Sequence, residues 1–223
     1  MSFGFQTKAR GRTMRFKSGF RSNEMYPLTK RLFDIAVSFL GLLAISPLLA
    51  AISVLIKLDS KGPVFYKGVR TGKDSRPFEM FKFRTMVLDA DKIGGSSTPE
   101  DDPRVTGIGR VLRNYKLDEL PQLINVLKGD MSFVGPRPQI PWVVDLYTPE
   151  EREALTVRPG ITDYASLRFA NEGEILKGSL DPDKDYMEKI HPEKMRLAVE
   201  YVRTRSFLVD MRLLLQTVKA VLK

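Results

Sequence analysis

From Ile35 to Ile56 the chain runs IAVSFLGLLAISPLLAAISVLI, twenty-two residues without a charge. A straight helix of that length reaches about 33 Å, slightly more than a bilayer's hydrocarbon core. Only scattered serines interrupt it, so no polar face is available for a soluble core helix. The run starts too far into the chain for a cleaved signal peptide and is followed directly by Lys57. The pattern predicts membrane insertion. Lys and Arg are about equally dense on its two flanks, so neither end favours crossing. Pro47 removes a helix hydrogen bond near the middle, and the Ser46 hydroxyl can satisfy a freed carbonyl. Two readings fit equally: a helix that breaks at Ser46-Pro47 and returns to the same face, or a kinked helix that spans.

Beyond this run the pattern changes period. Pro63–Arg70 and Pro77–Met86 alternate apolar and polar positions around the turn-rich TGKDSR, which predicts a β-hairpin. Ile93–Pro103 reads as a loop. Ile108, Val111, Leu112 and Tyr115 follow helical spacing, as do Leu120, Leu123, Ile124 and Leu127, which Gly129 ends. Met195 to Leu222 mixes Leu and Val with Arg and Lys, as a packed helix or an amphipathic one on a bilayer surface would. The fold class expected is α+β and mostly helical: a tail over 1–26, a membrane helix over 27–58, and a small domain over 59–223 containing the hairpin and amphipathic interfacial helices. The tail, with six basic residues, one acid and scattered phenylalanines, is expected to be mobile.

Composition narrows the chemistry. The formal net charge is +9, which favours an anionic partner. There is no cysteine, excluding disulfides and thiol catalysis, and the single histidine excludes a multi-His metal site. His191, ahead of Pro192 in a polar stretch, reads as a solvated loop residue. Acid, base or nucleophile work therefore falls to carboxylates, lysines or hydroxyls. GVRTGKD (Gly68–Asp74) superficially resembles a phosphate loop, but it is one residue short and Asp74 stands where Ser or Thr should be, so it reads as a turn. No nucleic-acid-binding motif is present, and no nucleic-acid partner is expected.

The paired carboxylates of KLDELPQ (Lys116–Gln122) admit two readings. Asp118 can be a helix N-cap, with Glu119 the first helical residue and Pro121 in the first turn. The neighbours favour chemistry instead. Arg110, Arg113 and Lys116 precede the pair, and KGDMSFVGPRP follows, with Arg137 held in a stiff turn between Pro136 and Pro138. Carboxylates among fixed cations stay ionised, and with Mg²⁺ and arginines they are equipment for phosphoryl transfer.

KRLFDIAVSFLGLLAISPLLA, FKFRTM, DPRVTGIGRVLRNYKLDELPQLINVLKGDMSFVGPRP and VRPGIT together resemble the bacterial sugar transferase family, the small monotopic phosphoglycosyl transferases, from about Lys30 to the C-terminus. The resemblance implies transfer of a sugar 1-phosphate from a UDP-sugar to polyprenyl (undecaprenyl) phosphate on the cytoplasmic face of the bacterial inner membrane, releasing UMP. It implies a re-entrant helix broken at Ser46-Pro47, Asp118 as nucleophile, and Glu119 as Mg²⁺ ligand or proton acceptor, with both dyad carboxylates as candidate metal ligands. Arg137 and Arg113 would neutralise phosphate charge, and Lys82 and Arg84 of FKFRTM are further phosphate-binding candidates. Inner-membrane lipid and a possible homo-oligomer complete the expected partners. The chain departs from the family pattern at Gly68-Val69, at Ser75, and at Asp163-Tyr164-Ala165-Ser166, where Gly-Trp-Ala-Gln is usual. The last of these departures bears on which sugar is read. The rival expectation is an inactive membrane-anchored scaffold in a glycan assembly complex.

Overall fold

The computed structural model describes residues 25–221. The expected mobile tail therefore lies, but for its last two positions, outside the described residues. Helix α1 (Tyr26–Asp59) leads into an antiparallel hairpin of β1 (Phe65–Thr71) and β2 (Pro77–Phe83), with Phe65 opposite Phe83 and Thr71 opposite Pro77. A short α2 (Ala90–Ile93) and a loop follow, then α3 (Gly107–Asn114) and α4 (Gln122–Lys128). Strands β3 (Ser132–Val134) and β4 (Gly160–Thr162) pair in parallel, separated in sequence by α5 (Pro141–Asp145). The chain closes with α6 (Tyr164–Arg168), α7 (Glu172–Ile175), α8 (Pro182–Lys189), α9 (His191–Thr204) and α10 (Phe207–Val221). The protein is mostly helical, with the hairpin where the alternation placed it.

α1 is the one helix among the described residues long and apolar enough to cross a membrane. It continues through Pro47 as a single element, and Ser46 Oγ donates to the Leu43 carbonyl at 2.9 Å. Leu32, Phe39, Leu40, Leu43 and Leu55 are exposed along it. Both flanks nevertheless pack on the same domain. Arg31 and Gly41 lie against α4, while Ile52 and Ile56 are buried with Phe83 and Leu112.

The small parallel sheet has no clear period in the sequence, because strands of three residues are too short to show one. It joins the VGPRP and VRPGIT segments directly. A Cβ on Gly160 would stand 2.1 Å from the Gly135 nitrogen, and one on Gly135 would stand 2.4 Å from the Arg158 carbonyl oxygen. Only glycine allows the two backbones to approach this closely.

Two expectations are corrected. His191 is not a solvated loop residue: it opens α9 and is buried, against the rings of Tyr147 and Tyr186. Its Nε2 is 3.8 Å from Glu151 Oε1. The helical pattern expected from Met195 to Leu222 is not one run either: within the described residues the chain breaks between Thr204 and Phe207 and turns into α10.

Candidate active site

The carboxylate pair is not a helix cap. α3 ends at Asn114, Lys116 takes a left-handed backbone conformation (φ 55°, ψ 21°), and Leu117–Glu119 form a single 3₁₀ turn. Pro121 occupies the N-cap position of α4, so neither Asp118 nor Glu119 caps that helix. A non-glycine residue in the left-handed region carries a cost of order 1 kcal/mol. That turn directs the two carboxylates toward the hairpin and the 135–138 turn.

Three elements bring cations to the pair. From β2, Lys82 Nζ lies 2.8 Å from Glu119 Oε1 and 3.8 Å from Asp118 Oδ2. Its strand is fixed by Asn125 of α4, whose amide donates to the Glu79 carbonyl at 2.7 Å and accepts from the Phe81 N–H at 2.9 Å. From the Pro136–Pro138 turn, the Arg137 guanidinium forks onto both Glu119 oxygens, Nη1 at 3.2 Å from Oε2 and Nη2 closer still on Oε1. From α3, Arg113 is held by Nε donating to Thr85 Oγ1 at 2.9 Å, with the Asp118 and Asp102 charges near it. Arg84 is not in this group. Its guanidinium is committed to the Lys61 and Ser60 carbonyls at the end of α1.

The two carboxylates are thereby made different. Burial alone would raise Glu119, but Arg137 and Lys82 outweigh it and hold the carboxyl well below the usual range. At Asp118 burial is the largest influence and raises the carboxyl above its usual value; Lys82 opposes the rise and Glu119 adds to it. Asp118 accepts no hydrogen bond among the described residues, its nearest cation being Lys82 at 3.8 Å. Glu119 is clamped in place, whereas Asp118 is buried with its oxygens uncommitted.

Behind Arg137 lies a second charged layer that sequence reading missed. Lys194 of α9 pairs with Glu172 of α7 and sits 5.1 Å over the Tyr186 ring. Glu172 and Asp163 both act electrostatically on Arg137. Asp163, fully buried, accepts from the Ser166 N–H at 2.7 Å, and its other oxygen has no partner among the described residues. The available signal was spacing: His191, Lys194, Ala198 and Tyr201 form the buried stripe of α9, and a lysine in such a stripe is unusual.

Among the described residues no group of three or more His, Asp or Glu is arranged to hold a metal ion. Asp118 stands beside Glu119, whose oxygens already accept from Arg137 and Lys82; with phosphates and water completing the shell, the two carboxylates would be a donor set of the size Mg²⁺ takes from a protein.

A model of the family described as "Bacterial sugar transferase" matches residues 25–223. "Uncharacterized sugar transferase EpsL" of Bacillus subtilis is 37% identical over 195 residues, covering 87% of this chain and 88% of that protein. "Undecaprenyl-phosphate glucose phosphotransferase" of Komagataeibacter xylinus is 39% identical over 203 residues, 86% of this chain but 35% of the relative. "UDP-N-acetylgalactosamine-undecaprenyl-phosphate N-acetylgalactosaminephosphotransferase" of Aeromonas hydrophila is 35% identical over 201 residues, 89% of this chain and 44% of the relative. The chain thus spans less than half of these last two proteins.

Proposed function

Because the chain belongs to the bacterial sugar transferase family, we propose that it moves a sugar 1-phosphate from a UDP-sugar to undecaprenyl phosphate. The names of the Komagataeibacter and Aeromonas relatives both support the acceptor class, and that of the Aeromonas relative supports the UDP-sugar donor. They name two different sugars, glucose and N-acetylgalactosamine, which a panel of UDP-sugars separates.

One observation carries the mechanism: Glu119 is held by Arg137 and Lys82 while the adjacent Asp118 carboxylate accepts no hydrogen bond among the described residues. A nucleophile must have an uncommitted lone pair, and Asp118 has one. An Asp118 oxygen attacks the sugar-bearing phosphorus of the UDP-sugar. The bond to the bridging oxygen breaks, and UMP leaves with that electron pair. A phosphate oxygen of undecaprenyl phosphate then attacks the same phosphorus, returning Asp118 as a carboxylate and forming the lipid-linked sugar diphosphate. Arg137, Lys82 and Arg113 neutralise charge on the phosphoryl oxygens through both displacements. Mg²⁺, held by Asp118 and Glu119 with the substrate phosphates, would supply further charge neutralisation.

The acceptor is confined to a bilayer, and α1 accounts for that. Its Arg31 flank and its Ile56 flank pack on one domain. Both flanks on one body support a helix that enters and returns to the cytoplasmic face of the inner membrane, with Ser46-Pro47 as its bend.

The test is UMP release from a panel of UDP-sugars with undecaprenyl phosphate and Mg²⁺, for the wild-type chain and Asp118→Asn. Release for one sugar, lost on substitution, is the expected outcome. No release across the panel from folded, membrane-inserted protein would overturn the reading in favour of a scaffold; without the lipid the covalent step releases one equivalent of UMP at most, and sustained turnover without it would change the acceptor.

A further inference from the structure

Among the described residues β3, the strand that leads to Arg137, pairs with β4 along one edge only. On its other side the Phe133 N–H donates to Asp34 Oδ1 of α1 at 3.2 Å, across 99 residues of sequence. The next residue is held as well. The Val134 carbonyl lies 3.2 Å from the Tyr201 hydroxyl, which is 2.8 Å from Asp210 Oδ1. Asp210 Oδ2 in turn accepts from the Tyr26 hydroxyl at 2.8 Å and pairs with Lys30 at 2.5 Å. Asp34, Tyr201 and Asp210 are each at most 2% exposed. One turn of α1 from Asp34, Arg31 donates to the Val126 and Leu127 carbonyls at 2.6 and 2.8 Å, capping the C-terminal end of α4. That helix begins three residues after Glu119. The opening turns of the membrane helix therefore grip both chain segments that meet in the site.

We propose that Asp34 and Tyr201 are positioning residues for Arg137. Only Gly135 and Pro136 separate Val134 from Arg137. The proline ring fixes its own φ, and Gly135 is packed against the Gly160 backbone, so β3 has little slack to absorb before Arg137. A bidentate guanidinium contact tolerates displacements of only about 0.5 Å. A shift of β3 is thus a shift of the guanidinium, and the seating of α1 and the phosphate grip become one geometry. A peptide N–H on a sheet edge needs an acceptor in any case. The added content is that this acceptor sits on the membrane helix and acts on phosphate binding through Arg137.

The inference rests on the proposed function for its ligand class, a nucleoside diphosphate, and is tested with UDP on the full chain in lipid nanodiscs. The variants are Asp34→Ala, Asp34→Asn, Tyr201→Phe and Arg137→Ala, singly and combined with Arg137→Ala. Asp34→Ala should weaken UDP binding about tenfold and Tyr201→Phe about threefold, whereas Asp34→Asn, whose amide oxygen accepts the same N–H, should stay within about twofold. In the Arg137→Ala background each should add less than about twofold, because residues acting through a shared partner are non-additive. Losses that multiply with Arg137→Ala, or an Asn variant as poor as Ala, overturn the positioning role. Tyr201→Phe, which removes one hydroxyl, carries the test if Asp34→Ala does not fold. Wild-type protein that releases UMP yet shows multiplying losses leaves the proposed function standing and removes this inference alone. Wild-type protein that neither binds UDP nor turns over overturns both.

Discussion

Arg137 donates both terminal nitrogens of its guanidinium to Glu119 and leaves Asp118 to Lys82. The pair is planar fork against planar carboxylate, a geometry an ammonium cannot copy. Arg137→Lys should therefore lower kcat/KM for UMP release about 10- to 100-fold despite keeping the charge. A loss below threefold would mean that charge alone matters there.

The different surroundings of the two carboxylates predict different kinetic phenotypes. Asp118→Asn should reduce turnover at least about 10³-fold and leave no covalent phosphosugar on the protein. Glu119→Gln should slow turnover yet still accumulate the adduct with a radiolabelled UDP-sugar. Intact-protein mass spectrometry reads both, and an adduct on Asp118→Asn would move the nucleophile elsewhere.

Gly160→Ala should destabilise the protein by about 1–3 kcal/mol, since its methyl would be driven onto the Gly135 backbone 2.1 Å away. In a chain of this size that corresponds to a fall in Tm of about 2–12 °C. Differential scanning calorimetry in detergent measures it, and an unchanged Tm would show that the two backbones part easily.

Burial holds His191 below its ordinary pKa, Glu151 opposing and Lys194 adding to the depression. Between that lowered value and the unfolded one near 6.5, the unfolded chain binds more protons. His191 thus contributes stability that is complete above about pH 6.5 and lost as pH falls toward the folded pKa. His191→Asn should flatten the thermal-stability profile between about pH 5 and 7 relative to wild type. A profile equally steep in the variant would assign the acid loss to other groups.

The absence of native cysteine makes topology directly readable. Single cysteines at Met25 and Ser60 should react with an impermeant maleimide from the same, cytoplasmic side of oriented vesicles. Pro47→Leu should move one of them to the opposite side. Opposite labelling in the parent chain would make α1 a spanning helix.

Much was legible in sequence because its causes are local. Twenty-two uncharged residues determine a membrane-length helix whatever surrounds them. Alternation around TGKDSR determines the hairpin, and the spacing from Ile108 to Leu127 the two helices. The motifs that carry the family resemblance are likewise short and contiguous. What tertiary structure decided is non-local. The neighbours of KLDELPQ favour chemistry in the sequence, but the cap reading falls only where Lys116 turns left-handed and Lys82 and Arg137 arrive from segments 37 and 18 residues distant from Glu119. Lys82 lies in β2 and Arg84 just past its end, two residues on, yet one faces the carboxylates and the other ties down the end of α1. Lys194, Glu172 and the Asp34–Phe133 contact had no local signal beyond a charge in a buried stripe. A side chain's partner depends on which distant backbone packs against it, and that is set by burial of the whole core rather than by neighbours in the chain.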